Sequence, residues 1–425
     1  MKPSLREQSE GFTLKAIQPV IVKPSLCELN KKNMSNIQFS ALKNTFTREI
    51  KRMASRPIYF ISTVVIMTFS YVFFLTFFNE GQPNKMPVGV VDLDNSTISR
   101  QFIRNLEVMQ HSHIVMRLNS HKEAREEMQR GNIYAFVEIK RNFAKDAVSN
   151  RRPTITFYIN DGYLIAGSLI SKDITYLSMV TSVGMQQKVL RAKGVEESRI
   201  MGILQPVVLD THLIGNPWAN YGTYLLNVIL PGVLQLMVLM MTVFPIGVEY
   251  KERTSRDWLS NANNSMFAAL TGKLIPYTVI FTVLGIIGNL LLYNYMHYPL
   301  NSSIGWMFLA TFLLVLSSQC IGILFIGITP VLRDGVTFAG LYGMLGVTFA
   351  GSTFPIEQMP VGTRIFSDFF PIHHYFNIYV NQALNGVGIH YSFISYIALL
   401  SFTAIPFIVF IRLKKAAINQ NFPVK

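Results

Sequence analysis

A short charge-dense segment, residues 249–259, separates two long uncharged stretches of the chain. Its sequence is Glu-Tyr-Lys-Glu-Arg-Thr-Ser-Arg-Asp-Trp-Leu, whereas 221–248 and 274–296 contain no charged residue. At a helical period of about 100° per residue, Tyr250, Thr254 and Trp258 fall on one stripe. The opposite side carries Glu249, Glu252, Arg253 and Arg256. Two interpretations stay open: a cytoplasmic loop with interfacial aromatics, or a helix along the membrane face that presents polar side chains to a soluble partner.

Catalytic and nucleotide-binding patterns are absent from the sequence. No nucleophile–base pair stands out, so the chain is not predicted to be an enzyme. The Gly272-Lys273 pair is followed by Leu274 and lacks the glycine five residues earlier that a phosphate-binding P-loop requires. The chain is therefore not expected to bind or hydrolyse a nucleotide in the P-loop manner.

Metal ligands with a recognisable spacing are not found either. His111, His113 and His121 are close in sequence, but no cysteine or carboxylate accompanies them at ligand spacing. The aspartates of the same region lie at predicted strand ends and turns, where capping is their expected role: Asp92, Asp94 and Asp161. We predict no metal site and no cofactor in this chain.

The composition identifies an integral membrane protein. Half of the 425 residues are hydrophobic and only 15% are charged, against about a quarter in soluble proteins. The net charge of +14 is concentrated beside the apolar stretches, as expected for cytoplasmic flanks of membrane spans, and does not predict nucleic-acid binding. Cys27 and Cys320 lie in a polar tail and an apolar span, so no disulfide is expected between them.

The pattern predicts an α-helical membrane protein with six transmembrane helices and an α+β domain inserted between the first and second. The predicted spans are 57–78, 217–248, 265–296, 303–328, 335–352 and 391–411. Lysines and arginines at their ends place both termini in the cytoplasm. The fifth predicted span is rich in glycine, which predicts close packing against a neighbouring helix.

The segments outside the spans have distinct predicted roles. Residues 1–33 are predicted to be a disordered cytoplasmic tail, with Met34 as an alternative start, and 34–56 an amphipathic interfacial helix. Residues 249–264 form the predicted cytoplasmic helix or loop, 353–390 external helices that dip toward the membrane, and 412–425 a cytoplasmic tail.

Residues 79–216 are the one large polar block, and we expect them to fold as the external α+β domain. Strands are predicted at 88–91, 114–118, 133–139 and 154–159, with a long helix at 163–191 and a short extended piece at 207–209.

Within the predicted spans, strongly polar side chains are few. The main ones are Asn227, Gln235, Asn289 and Gln319, and each is expected to form interhelical hydrogen bonds. Proton relays and ion-coupled transporters need ionisable groups in their spans, so both classes are disfavoured. An apolar, aromatic pathway would suit an amphipathic or lipophilic substrate.

Several motifs, taken in order, resemble permeases of ABC-2 type exporters, in the subgroup with a large external domain after the first span. They are Val-Val-Asp-Leu-Asp-Asn-Ser (90–96), Gly-Asn-Ile-Tyr-Ala-Phe-Val (131–137), Asn-Pro (216–217) before Leu-Pro-Gly (230–232), the segment 249–259, Gly-Ser-Thr-Phe-Pro (351–355), Glu357, Met-Pro (359–360) and Phe-Pro-Ile-His-His-Tyr (370–375). The resemblance covers about 34–415, and it departs from the family pattern near Thr254, where the usual glycine is missing.

The resemblance implies a permease of the multidrug-efflux type in the bacterial inner membrane, moving a drug-like molecule or a lipid outward. A separate ABC ATPase would bind ATP and Mg and supply the energy. The permease would pair with an identical chain or a sister permease; membrane lipids and a periplasmic adaptor protein are further candidate partners. The main rival is a non-transporting scaffold or receptor that binds a partner through the external domain.

The resemblance also assigns two sets of residues. Those expected to contact the ATPase are Glu249, Tyr250, Glu252, Arg253, Thr254, Arg256 and Trp258, with Tyr250 and Trp258 anchored at the membrane. Those expected to form an external gate are Phe354, Pro355, Glu357, Pro360, Pro371, His373, His374 and Tyr375. A structural role for this second set, shaping a turn, stays open beside the gate.

Overall fold

A computed structural model describes residues 26–149, 151, 153–205, 210 and 212–420. Residues 1–25 of the predicted tail and the predicted extended piece at 207–209 lie outside the described residues. The first helix, α1 (Leu26–Ser55), begins before residue 34, so the end of the predicted tail is helical. No proline or glycine interrupts the sequence from 26 to 55, which removes the residues that break helices most strongly.

The first long apolar helix, α2 (Pro57–Phe77), follows α1 after one residue. Pro57 occupies its first turn, where a missing backbone N–H costs no hydrogen bond. A π-helical turn at Ile61–Val65 lies inside it. The boundary between α1 and α2 is therefore fixed by the proline.

The polar block contains a four-stranded mixed sheet in the order β2-β1-β3-β4. Its strands are β1 (Met86–Asp92), β2 (Ser112–Arg117), β3 (Ala135–Ile139) and β4 (Ile155–Ile159). The first three are parallel to each other where they pair, and β4 is antiparallel to β3. All four predicted strands are confirmed.

Helices connect and cover these strands. They are α3 (Thr97–Val108), α4 (His121–Gln129), α5 (Phe143–Val148), α6 (Leu164–Ala192) and α7 (Glu197–Leu204). An apolar core that includes Val90, Phe102, Val137 and Ile170 joins the sheet to α3 and α6. This block is thus an α+β domain with its own core, and its position outside the membrane stays a prediction.

The expected capping role of two aspartates is confirmed. The Asp92 carboxylate accepts hydrogen bonds from the backbone N–H groups of Asp94 and Asn95 and from the Ser99 hydroxyl. The Asp94 carboxylate accepts one from the N–H of Ala144, in the first turn of α5. The Asp92 carboxylate thus satisfies backbone donors just after β1, and the Asp94 carboxylate satisfies one in the first turn of α5.

The described residues from 212 to 420 are mainly helical. They contain α8 (Tyr221–Lys251), α9 (Ser255–Asn261), α10 (Met266–Tyr295), α11 (Ile304–Ile328), α12 (Leu332–Thr348), α13 (Val361–Ser367), α14 (Pro371–Tyr379) and α15 (Phe393–Asn419). α8 runs through Pro231 and Pro245 without ending. α15 extends past the predicted end at 411, because Leu413 and Ala417 are buried and hold its last turns in place.

Five helices in the described part of the chain are long and apolar enough to cross a membrane: α2, α8, α10, α11 and α15. The predicted fifth span corresponds to α12, which has 17 residues. That is roughly 26 Å of helix, slightly less than a hydrocarbon core of about 30 Å. The six-span topology therefore stays a prediction.

Glycines allow α12 to pack closely against α8, as predicted from its composition. A Cβ added at Gly343 would lie 2.7 Å from Leu236 Cδ1, and one added at Gly335 would lie 2.9 Å from Val243 Cγ1. Gly340 differs, because its nearest neighbour is the flexible end of Met240, at 3.3 Å. One face of α12 thus has no room for larger side chains.

The contrast between Gly343 and Gly340 gives a matched pair of substitutions. We expect Gly343→Ala to be less stable than Gly340→Ala by about 1–3 kcal/mol, since overpacking displaces the α8 backbone or Leu236. Both variants gain similar helix propensity, so their difference measures the contact with α8. Denaturant unfolding of the purified protein in detergent would give the two free energies; equal values would contradict the close packing.

Candidate functional site

The charge-dense segment contains a sharp change of direction. α8 ends at Lys251, and Arg253 adopts a left-handed backbone conformation with φ of 58°. The N–H of Arg253 donates to Tyr250 O, and the N–H of Thr254 donates to Glu249 O, which is the hydrogen-bond pattern of a Schellman motif. Of the two interpretations of 249–259, a single amphipathic helix through the whole segment does not form, because a turn separates α8 from α9.

The physical reason is the conformation of Arg253. Glycine usually occupies this position, because a side chain there costs roughly 1–2 kcal/mol. The chain makes the same turn with arginine, so the absence of glycine near Thr254 does not remove the turn. A new short helix, α9, begins immediately afterwards at Ser255.

The Glu249 carboxylate lies at the centre of a buried ion network and not on a free surface. It is fully buried and accepts hydrogen bonds from the two terminal nitrogens of Arg48, Nη1 at 2.6 Å and Nη2 at 3.0 Å. Arg52 and the hydroxyl of Thr254 also donate to it. The carboxylate has α1 as its partner within the chain, and its contact with an ATPase stays a prediction.

A buried lysine completes the inner part of the network. Lys273, in α10, is fully buried, and its Nζ lies 2.8 Å from Glu249 Oε1 and 2.5 Å from Glu49 Oε2. Glu49 also accepts a hydrogen bond of 2.7 Å from the hydroxyl of Tyr277. Burying a charge is costly unless it is paired, and each of these charges has an opposite partner.

An outer part of the network is more exposed to solvent. Glu252 bonds to Arg52 Nη2 at 2.5 Å and to Arg56 Nη1 at 2.6 Å. The hydrogen bond from Arg56 helps to hold the pKa of Glu252 below its ordinary value, so the carboxylate stays charged at neutral pH. We define the ion network as Arg48, Glu49, Arg52, Arg56, Glu249, Glu252 and Lys273.

The two predicted membrane anchors are inside the protein. Trp258 is fully buried; its Nε1 donates to Ala269 O at 3.2 Å, and Lys273 Nζ lies 5.3 Å from the centre of its ring. The hydroxyl of Tyr250 donates to Leu413 O at 3.4 Å. The expectation that these aromatics face lipid is wrong, because the turn at Arg253 points α9 back onto α10 and α15.

Two further bonds hold α9 against the end of α15. Ser255 Oγ donates to Ala417 O at 3.0 Å, and Arg256 Nε donates to Ile418 O at 2.8 Å. The ion network joins α1, α8 and α10 to each other, so these bonds extend the connected unit to five helices. A displacement of α9 would consequently be felt by all of them.

Exposed polar residues at the end of α8, in the turn and on α9 form a rim on one part of this unit. It consists of Lys251, Glu252, Arg253, Arg256, Asp257, Ser260 and Asn261. Of the residues predicted to contact an ATPase, Glu252, Arg253 and Arg256 are in the rim, Thr254 is half-buried, and the remaining three are buried.

The sequence interpretation missed the ion network, although signals for it existed. Lys273 is the one charged residue in α10, and an ionisable residue in an apolar span is by default a functional candidate. Arg48, Arg52 and Arg56 recur every four residues, which places them on one side of a helix. The sequence does not indicate which carboxylates these arginines and Lys273 contact.

The polar residues predicted to bond between helices are confirmed in three of four positions. Asn289 Nδ2 donates to Thr311 Oγ1 at 2.8 Å, and Asn227 Oδ1 accepts a bond of 3.3 Å from the Tyr293 hydroxyl. Gln319 accepts one of 2.8 Å from Thr278. Gln235 is fully buried, and its amide finds no hydrogen-bond partner among the described residues.

The residues predicted for an external gate do not share one surface. Phe354, Pro355, Glu357 and Pro360 are exposed, whereas Pro371, His373, His374 and Tyr375 are buried in the first turns of α14. The Tyr375 hydroxyl donates to Asn289 Oδ1 at 3.3 Å, which connects α14 to α10. Whether this region opens as a gate is not tested by its contacts.

The two histidines of α14 have structural partners. His373 Nε2 lies 3.0 Å from Asn377 Nδ2, and His374 Nε2 lies 2.9 Å from Asp368 O. Burial lowers the pKa of both imidazoles, which favours their neutral forms. Asp368, His373 and His374 offer possible metal-ligand atoms within 4.8 Å of one another. The hydrogen bonds already use both Nε2 atoms, which favours the role of shaping the turn before α14.

The two ends of the helical bundle differ. At one end, the N–H of Tyr221 donates to Gly81 O at 2.7 Å, so the end of α2 and the start of α8 are adjacent where the chain enters and leaves the α+β domain. At the other end, the ion network joins α1 to the end of α8. The domain and the ion network therefore lie at opposite ends of α2 and α8.

Comparison with known proteins agrees with this architecture. Residues 55–412 match the family model described as "ABC-2 family transporter protein". A curated relative, ABC transporter G family member 20 of Dictyostelium discoideum, is 23% identical over 360 residues. The match covers 80% of this chain and 46% of the relative, so the chain spans about half the length of that protein.

Removing the buried lysine tests the ion network. We expect Lys273→Met to lower the free energy of unfolding by about 3–5 kcal/mol, because Glu49 and Glu249 lose a buried counter-charge. Adding Glu49→Gln to this variant should recover part of the loss. Chemical unfolding in detergent measures both, with the exposed Arg333→Met as a control expected to change stability by at most about 0.5 kcal/mol. A loss in Lys273→Met no larger than in the control would contradict the network.

Proposed function

The chain belongs to the ABC-2 transporter family, and we propose that it is the membrane-spanning subunit of an ATP-driven exporter whose ATPase is a separate protein. The observation that carries this proposal is the exposed polar rim mounted on the ion network, at the end of the bundle opposite the α+β domain. A rim of this kind offers a charged docking surface on a unit whose helices are already connected by ion pairs and hydrogen bonds.

We propose that the ATPase docks on the rim and not on the buried side chains of the charge-dense segment. Arg253 and Arg256 project from the turn and from α9, and Asp257 lies beside them. Opposite charges on a partner would orient it and speed its association. ATP and Mg would be bound by that partner, since this chain has no P-loop sequence.

The ion network supports a path for mechanical coupling. A push on α9 acts on α8 through Thr254 and Glu249, and Glu249 is bonded to α1 and α10. The bonds of Ser255 and Arg256 add α15. ATP-driven closure of two ATPases would thus move these helices together and change the packing between two permease chains, identical or sister.

The proposed substrate is amphipathic or lipophilic, such as a drug-like molecule or a lipid. A cavity of about 400 Å³ between α10, α11 and α15 has a mainly apolar lining that includes Phe267, Leu274, Phe312 and Phe410. Such a lining favours molecules that partition into the membrane. We propose outward transport across a bacterial inner membrane, as the resemblance to ABC-2 type exporters implies.

The exposed and buried parts of 353–375 retain a proposed role at the outer exit. Phe354 and Glu357 are exposed next to a helix whose Tyr375 is bonded into the bundle, so a movement of α10 would reach this region through Asn289. The α+β domain remains the proposed contact for a periplasmic adaptor.

Charge reversal in the rim tests the docking surface. We expect Arg253→Glu to weaken recruitment of the ATPase about tenfold, equivalent to ~1.4 kcal/mol, and to lower its ATP hydrolysis in proteoliposomes by a similar factor. Membrane expression should not change, because Arg253 is exposed. The control is Arg125→Glu, the same charge change on an exposed residue of the α+β domain.

Affinity purification of the tagged chain in mild detergent gives the first reading. A P-loop ATPase at near equal stoichiometry is the expected result. Recovery of the intact permease dimer without any ATPase would favour the scaffold or receptor function. If an ATPase is recovered whose ATP hydrolysis falls equally in Arg253→Glu and Arg125→Glu, that result would place its contact on a surface other than the rim.

A further inference from the structure

A chain of hydrogen bonds joins the α+β domain to the segments just after α2 and just before α8. Asp173 Oδ1, on α6, lies 2.9 Å from Nδ1 of His111, just before β2. The other ring nitrogen of His111 lies 2.7 Å from Oε1 of Gln82, in the segment after α2. Gln82 in turn reaches Trp218 and Ala219, just before α8.

The orientation of the Gln82 amide is fixed by its other end. Its Nε2 donates to two backbone carbonyls, Trp218 O at 2.9 Å and Ala219 O at 2.8 Å. Carbonyl oxygens accept and cannot donate, so the amide nitrogen must point to them and the amide oxygen must point to His111. The hydrogen of the bond between Gln82 and His111 therefore has to come from the imidazole.

The bond at the other ring nitrogen of His111, Nδ1, also needs a hydrogen between its two atoms. Asp173 is buried, and its Oδ2 accepts hydrogen bonds from the N–H of His111 at 2.9 Å and from Ser112 Oγ at 3.3 Å. A carboxylate is likewise an acceptor only, so the bond between Asp173 Oδ1 and His111 also needs a proton. Whether that proton resides on the carboxyl or on the ring, the complete chain holds two protons, one more than a carboxylate with a neutral imidazole.

We propose that Asp173, His111 and Gln82 form a proton-dependent latch that fastens the α+β domain to the end of α2 and the start of α8. When the pH rises and the extra proton leaves, one of the two bonds of His111 is left with two facing lone pairs and no hydrogen. The latch is closed when the proton is bound and loosens as the pH rises. Histidine is the side chain whose charge ordinarily changes between about pH 5 and 8.

Protons can reach this site from solvent. His111 and Asp173 line a cavity of about 740 Å³ together with Lys172 and Tyr176. His111 and Asp173 are both buried, so proton exchange occurs at the cavity wall and not on an open surface.

Other ionisable groups nearby belong to several elements. Lys172 is on α6, Lys85 precedes β1, Glu80 follows α2, and on the side of α3 Glu107 is bonded to His113. Of these groups and Asp173, only the carboxylate of Asp173 is bonded to the ring of His111 among the described residues. Glu107 is already committed to His113 and to the N–H of Ile114, and that last bond lowers its pKa.

Backbone hydrogen bonds next to the latch report its state. The N–H of Tyr221 donates to Gly81 O at 2.7 Å, and the N–H of Met86 donates to His111 O at 2.7 Å. When the latch loosens, the segments 81–86 and 218–222 lose a constraint, and their amide hydrogens should exchange faster with solvent.

Hydrogen–deuterium exchange of the full chain in detergent tests the proposal, with rates corrected for the intrinsic effect of pH. Between about pH 5.5 and about pH 8 we expect protection at 81–86 and 218–222 to fall about tenfold in the unmodified protein. His111→Gln and Gln82→Leu should both abolish this dependence on pH. Gln82→Leu leaves the pair of His111 and Asp173 in place, which separates the latch from the folding of the domain.

Two further histidines with carboxylate partners, the exposed His113 and the half-buried His121, provide matched controls. His113 pairs with Glu107 and His121 with Glu138, and we expect His113→Gln and His121→Gln to keep the pH dependence. Protection that is independent of pH in the unmodified protein would overturn the latch, as would a pH dependence that survives in His111→Gln. No ATPase or substrate enters this experiment, so its outcome is independent of the result for Arg253→Glu.

Discussion

The buried carboxylate of Glu249 is the interaction on which the end of the helical bundle depends. A carboxylate removed from water is stable only when opposite charges and hydrogen bonds replace its hydration. Here α1 supplies Arg48 and Arg52, and α10 supplies Lys273. The positions of three helices are therefore fixed by one charge, and the turn at Arg253 is fixed with them because Thr254 donates to the same carboxylate.

Contacts of a different kind hold the middle of the bundle. Between the ion network at one end and the bonds of Gln82 at the other, α8 packs against α12 through the close approaches of Gly335 and Gly343. Apolar contacts have no preferred direction, whereas charge-assisted hydrogen bonds do. The two ends of α8 are thus specified by directional bonds, and its middle by shape.

Local patterns in the sequence predicted the elements, and the long-range pairing of charges was out of their reach. The strands of the α+β domain and the cap at Asp92 follow from neighbours in sequence, whereas the partner of Asp94 lies fifty positions away. The contact between Lys273 and Glu49 joins residues more than two hundred positions apart, and no periodicity predicts it. The sequence left a loop and a helix open for 249–259 for a local reason: an arginine in the left-handed conformation is rare, so the residue type alone does not indicate the turn.

The strength of the ion network determines what a force on the rim can do. Separating one buried partner from Glu249 would cost about 3–5 kcal/mol, and the carboxylate has three cationic partners. A force on the rim that does less work than this free energy leaves α1, α8 and α10 bonded. It therefore moves these three helices as one unit. The contact between α8 and α12 has no comparable bonds at Gly335 and Gly343, where small residues bring the two helices close and the contacts are apolar. Displacement is therefore expected at that apolar contact, while the ion network keeps its geometry.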